Sequence, residues 1–344
     1  MREARADLTY LRRLAFDALQ RPPSRSEIQA LLGMPVDRVS RQVWRRQEAL
    51  EQWLEEELYF HLLIDRFRPR NAAMERLPQR LARGEASARD ATAEILLSTG
   101  FALRNPGNDT FATVVLEQCL GMTVQDRKSK AELGAAKAMY DGRKARLLGV
   151  EGDSQADIVR IVLDRPEFAQ TLLDRHHRRL FGARLDSRGK DALAAATAAA
   201  GDGLGRFFEV LAQWCSSPEY LAALATRRPR THYQIVRGLY FDVLGRAPSY
   251  DETRNTRNAL SSMADPTPMR IVLARILVDS PKAILPGSRA DGDAAFVRAA
   301  FEHYLGRPPT SGESARFVNS LQQGGAAERH VARALLASVE YGYY

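Results

Sequence analysis

The sequence predicts an all-α fold, an array of about five helical repeats of roughly 60 residues each. Three observations predict it: an apolar register that recurs along the chain, a helix stop placed after each copy, and a capping-box spacing after the stop in three of them. The clearest copy is Val297–Leu321. Phe296, Val297, Ala300, Phe301, Tyr304 and Leu305 are spaced to stack on one helical face. Gly306 follows where a helix ends in a left-handed residue, and Pro308 and Pro309 forbid continuation. Thr310 to Glu313 then has the Ser/Thr-x-x-Glu spacing that starts a second helix.

The same grammar orders the rest of the chain. Tyr10, Leu11, Leu14, Ala15, Ala18 and Leu19 precede Gln20, Arg21 and the box Ser24 to Glu27. Pro35 ends this helix pair, and Val39 to Phe67, free of Gly and Pro, reads as one long inserted helix. Its apolar stripe includes Leu50, Leu54 and Ile64 beside Trp53, Phe60 and Phe67, which recur every seven residues; Glu51, Glu55 and Glu56 lie on the other side. A closing helix over 86–103 completes the first repeat, 1–109. In 110–173, Phe111, Ala112, Val115, Leu116, Cys119 and Leu120 precede Gly121, and Gly142–Gly152 reads as irregular. Across the start of 174–226, the register Leu172, Leu173, His176, His177, Leu180 and Phe181 precedes Gly182. Thr226–Arg230 is the expected linker. The repeat 232–285 carries Ile235, Val236, Leu239, Tyr240, Val243 and Leu244, the stop Gly245 and the box Ser249 to Glu252; 296–344 is the fifth. The closing segments Arg165–Phe168, Ser217–Tyr220 and Ser338–Tyr341 also resemble one another, and no strand-period segment of convincing length is present.

Hydrophobic residues make up 45% of the 344, the proportion of a folded chain. No apolar leader opens the sequence and no window has 18 uninterrupted apolar residues, so neither a cleaved signal nor a membrane span is expected. Two cysteines give no disulfide framework and point to a reducing, cytoplasmic setting. The net charge of +8 is spread along the chain, with no run dense enough to mark a phosphate track.

The groups that might carry chemistry read as structural. Gly201-Asp-Gly-Leu-Gly205 lacks the spacing, the preceding strand and the Lys-Ser/Thr of a phosphate loop, and is expected between helices. His176 and His177 point about 100° apart on a helix and have no second His or Cys at ligand spacing, so a helix interface suits them better than a metal. Cys119 and Cys215 fall at apolar positions. Arg21, Arg246 and Arg307 each follow a helix stop, where they can hold the last carbonyls or a carboxylate of their own repeat, or meet a partner. No catalytic, cofactor-binding or metal-binding residue is assigned.

At Leu244-Gly-Arg-Ala-Pro248 and Leu305-Gly-Arg-Pro-Pro309, each followed by its box, the chain resembles the phycobilisome-linker-like helical repeats and related bacterial repeats of unknown function. Tyr10–Leu32 is similar to the opening of an uncharacterised domain of large bacterial proteins, some joined to cytochrome modules. The repeats at 110–173 and 174–226 lack the Arg-x-Pro step. The resemblance implies a scaffold that docks with other protein subunits and brings no active site. The expected function is therefore a non-catalytic linker in a larger bacterial assembly. Its expected partner-binding residues are Trp53, Phe60, Phe67, Arg246 and Arg307. A nucleic-acid-binding module using segments such as Arg227-Arg-Pro-Arg230 is the alternative, and an enzyme with a site assembled from distant residues is the third reading.

Overall fold

The computed structural model describes residues 4–63, 72–123, 127–323 and 327–344. These residues are mostly α-helical, as the sequence predicts. The chain divides into two compact units. One, the split unit, joins Met1–Ser40 to Leu221–Tyr344; the other, the central unit, is Arg41–Tyr220. The opening segment thus belongs with the end of the chain and not with the rest of 1–109.

Every expected helix stop is left-handed: Gln20 (φ 56°), Gly121, Gly182, Gly245 and Gly306. Gln20 adopts this conformation without being glycine, which is why the first stop is the hardest to see in the sequence. In all five helices the first five register positions are buried and the sixth is buried or half-buried. The register is the inward face of each helix.

The split unit contains three helical triplets. They are Leu8–Leu19, Arg25–Leu31 and Val36–Trp44, the last only as far as Ser40; His232–Leu244, Tyr250–Ser261 and Thr267–Asp279; and Asp293–Leu305, Ser311–Gln323 and Glu328–Ala337. Much of its core comes from the last two triplets, with Val236, Leu239, Val243, Phe296, Val297, Tyr304 and Tyr341 interlocked. The three leading helices also exchange polar contacts in a ring. Arg12 donates to the carbonyls of His303 (3.1 Å) and Tyr304 at the end of Asp293–Leu305. Arg237 donates to Leu19 O (3.3 Å) at the end of Leu8–Leu19. His303 Nε2 reaches Asp242 O (2.9 Å) near the end of His232–Leu244. Helix C-termini leave carbonyls without intrahelical donors and carry partial negative charge, so each leading helix supplies what another lacks.

Three expectations need correction. Val39–Phe67 is not one helix: Val36–Trp44 ends, Arg46 takes an extended backbone (φ −70°, ψ 140°), and Gln47–Leu62 begins. No Gly or Pro marks this break. Trp44 is buried with its indole N–H on Cys215 Sγ (3.4 Å), while the next turn buries Ala49 and Leu50, so packing overrides local helix preference. The end of the expected helix, with Ile64 and Phe67, lies outside the described residues.

The Gly142–Gly152 stretch contains a small antiparallel hairpin, Ala145–Leu147 against Val150–Gly152. Leu148 (φ 49°) and Gly149 (φ 85°) both take positive φ, as a two-residue hairpin turn demands. Leu148 is an unusual residue there, and its N–H is held by Glu132 (2.6 Å).

Thr226–Arg230 is not a free linker. Arg228 and Tyr344 exchange both backbone hydrogen bonds, Arg230 N donates to Gly342 O, and Arg13 holds Thr226 O. Gly342 and Tyr344 thus tie this segment down through an isolated bridge.

Candidate functional site

Each motif arginine is engaged by a glutamate six residues further on. Arg21 meets Glu27, Arg246 meets Glu252 and Arg307 meets Glu313, each through two hydrogen bonds of 2.7–2.9 Å. In each case the same Arg also donates to the carbonyl of the next residue, Pro22, Ala247 or Pro308. The glutamate meanwhile completes the capping box by accepting from the backbone N–H of Ser24, Ser249 or Thr310. One carboxylate therefore caps the second helix and anchors the Arg after the first. The paired guanidinium, helped by the backbone donor, outweighs the opposing effect of burial and holds Glu252 and Glu313 down at about 2. Arg307 holds a second carboxylate, Glu340 (2.7 Å).

Trp53 is 1% exposed, so it is a core residue and its ring is not on offer to a partner. Its ring packs on Phe207 and Phe208 of the central unit. Phe60 is half-buried under Arg175, whose guanidinium carbon lies 3.8 Å from the ring centre. Phe67 lies outside the described residues.

Around Trp53 the structure gathers a buried polar cluster that the sequence reading missed. Helix Gln47–Leu62 presents Trp53, Glu57 and His61, four residues apart and so on one face. Helix Pro166–Phe181 brings Arg175 and His176 against them. Arg175 pairs with Glu57 at 2.5 Å, and Gln118 lies 2.9 Å from His61 Nδ1. His176 Nε2 is 3.1 Å from Glu57 Oε1 and 3.2 Å from Trp53 Nε1. One nitrogen cannot both donate to a carboxylate and accept from an indole. The carboxylate is ionised, so the charge-assisted bond prevails and the proton sits on Nε2. His176 Nδ1 then carries a lone pair that is buried and has no partner.

Burial alone would raise Glu57, but Arg175 and the His176 hydrogen bond outweigh it and hold the carboxylate near 2. Burial pushes His61 and His176 down to about 4, against their contacts with Glu57. At neutral pH the cluster is thus one ionised carboxylate and two neutral imidazoles. Its sequence signal is the four-residue spacing of Trp53, Glu57 and His61, hidden among four other glutamates of the same helix.

The remaining candidates are accounted for locally. His177 stacks on Phe181 and its Nδ1 reaches Ala183 O (3.0 Å). Cys119 and Cys215 are free and buried, and burial pushes the Cys119 thiol up to about 12, far from a thiolate nucleophile. Gly201–Gly205 joins the helices Lys190–Ala200 and Phe207–Cys215. Among the described residues no group of three or more His, Cys, Asp or Glu is arranged to hold a metal ion. Among them, too, no helix is long and apolar enough to cross a membrane.

The basic segment Arg227–Arg230 is partly engaged, though the Arg227 side chain stays half exposed. Arg227 pairs with Glu340 (2.6 Å), and Arg230 is buried between the rings of Phe16 and Tyr341. A different surface stands out. Helix Thr267–Asp279 buries Arg270, Ala274 and Val278 but leaves Val272 and Ile276, one turn apart, 50% and 60% exposed, with Ile271 beside them. No protein-family model and no curated protein matches the chain.

Proposed function

We propose that the chain is a non-catalytic helical scaffold, an array of five repeats that docks other protein subunits into a larger assembly. The observation that carries this reading is the apolar outer row of helix Thr267–Asp279, in the repeat with the linker-like Leu-Gly-Arg-x-Pro step. Exposed apolar side chains clustered on one helical face are the usual mark of a protein contact. The shared geometry of the stops, boxes and Arg–Glu pairs supports the repeat reading, because it gives the motif's polar residues a building role in each copy. The nucleic-acid alternative loses support where its best segment, Arg227–Arg230, is tied down and paired.

The test is affinity purification of the native protein, washed at low and at moderate salt, beside a Val272→Asp, Ile276→Asp variant of unchanged helical circular dichroism. A stoichiometric protein partner that survives moderate salt and is lost in the variant is the expected result. Recovery of the protein alone, or with nucleic acid released steeply by salt, would overturn the reading.

A further inference from the structure

The central unit contains a cavity of about 480 Å³, within the size range of small-molecule sites. It opens between helix Pro166–Phe181, helix Lys190–Ala200 and the Gly201–Leu204 turn. None of the buried Glu57 cluster lines it. We propose that this cavity binds a small zwitterion with an apolar tail, of the α-amino-acid class.

Charge is the first argument. The wall carries two cations, Arg89 and Arg165, and two anions, Asp164 and Asp202. Arg89 and Asp164 are paired directly, so opposite charges stand side by side at the cavity wall. A phosphate or other polyanion would meet the two carboxylates, and a simple cation would meet the two guanidinium groups. An α-amino acid carries a carboxylate and an ammonium on neighbouring atoms, the complement of such a pair.

An open donor is the second argument. The Arg89 guanidinium spends one end on Asp164, while its Nε is buried without a hydrogen-bond acceptor. A buried donor left unpaired is costly, and a ligand carboxylate would satisfy it. Arg165 precedes helix Pro166–Phe181 and supplies no side-chain cap, so the first turn adds backbone polarity of the same sense.

Shape is the third. Phe168 and Leu204, both buried, provide an apolar floor for the tail. Gly203 (φ 57°) takes a backbone conformation that favours glycine and lies against the stem of Arg89. The run Gly201–Gly205, which has no phosphate-loop role, forms one lip of the cavity.

The test is isothermal titration of the full chain with L-leucine and L-phenylalanine. Isocaproate, which lacks the ammonium, and isoamylamine, which lacks the carboxylate, are titrated alongside. Saturable binding of an amino acid, weakened at least about tenfold in both truncated analogues, is the expected result. Arg89→Met should abolish it. Because that change also breaks the pair with Asp164, Ala198→Trp serves as a second variant, filling the cavity from an exposed lining position without touching the charges. Binding that persists in a folded Ala198→Trp protein, or no saturable heat up to about 10 mM of either amino acid, would overturn the proposal.

Discussion

Arg307 is held by two carboxylates at once: Nη1 and Nη2 grip Glu313, while Nε and Nη2 meet Glu340, 33 residues further on. Its counterpart Arg246 has Glu252, and its side chain is 46% exposed. Exposed ion pairs contribute little, typically under about 1 kcal/mol, whereas stranding part-buried charged groups costs about 1–3 kcal/mol. Arg307→Ala should therefore destabilise the chain by about 1–3 kcal/mol, and Arg246→Ala by about 1 kcal/mol or less. Arg307→Lys should recover only part of the loss, because an ammonium cannot bridge bidentately. Urea unfolding of the three variants decides it; equal effects at the two positions would show that Glu340 adds nothing.

The paired glutamates bring a second consequence. Glu252→Ala and Glu313→Ala each remove a cap as well as an ion pair, so each should cost about 0.5–2 kcal/mol. Glu219→Ala has only an exposed ion pair with Arg188 to lose and should cost less. Melting shifts measured side by side separate the capping contribution from the charge.

The register, the stops and the boxes were legible because each is local: helical spacing, positive φ and a three-residue side-chain bond are written in neighbouring residues. What escaped depends on distant partners. The break at Arg46 follows from where Trp44 and Ala49 are buried, and the tie on Arg228–Arg230 comes from residues more than a hundred positions away. The Glu57 cluster was half legible, since Trp53, Glu57 and His61 share a face in sequence, but Arg175 and His176 join it only by folding. The sequence places Trp53 on an apolar stripe; which side the stripe faces is decided by Phe207, Phe208 and His176.

Two helix glycines should respond in opposite directions to the same change. Gly134 lies within Arg127–Tyr140, and a built Cβ meets nothing within 4 Å, so Gly134→Ala should gain the helix-propensity term of about 1 kcal/mol. Gly238 lies within His232–Leu244, but its Cβ would sit 3.0 Å from Arg230 Nη1 and 3.2 Å from the Tyr341 hydroxyl. Overpacking there costs about 1–3 kcal/mol, which exceeds the propensity gain. Gly238→Ala should lower the melting temperature while Gly134→Ala raises it.

Acid should weaken the central unit before its carboxylates titrate. His61 and His176 stay neutral down to about 4 when folded, against 6.5 in the unfolded chain. Between those values the unfolded state binds more protons, so stability is complete above about pH 6.5 and falls as the pH drops toward 4. Glu57, near 2 when folded and 4.5 when unfolded, adds a second loss in the same direction below pH 4.5. Unfolding midpoints followed by tryptophan fluorescence from pH 7 to 4 should fall, and His176→Gln should flatten the slope. A flat profile in the parent protein would mean that the imidazoles protonate freely in the fold.

Arg230 poses the sharpest balance. It is 5% exposed, and all three of its guanidinium nitrogens lack a hydrogen-bond partner. Its compensation is the sandwich between Phe16 (4.3 Å) and Tyr341 (4.1 Å), each face giving about 0.5–2 kcal/mol. Against this stands the effective cost of several kcal/mol for burying an ion, with repulsion from buried Arg12 added. Burial, then Arg230, push Arg12 down to about 10. The costs are the larger side, so Arg230→Met, which keeps the length of the stem and the backbone bond to Gly342, should be neutral or stabilising by about 1–2 kcal/mol. Arg230→Ala should instead destabilise by about 2–4 kcal/mol, since it leaves a void between two rings. Chemical denaturation of both variants tests the balance: a loss above about 2 kcal/mol in Arg230→Met would show that the two rings hold the cation more strongly than burial penalises it.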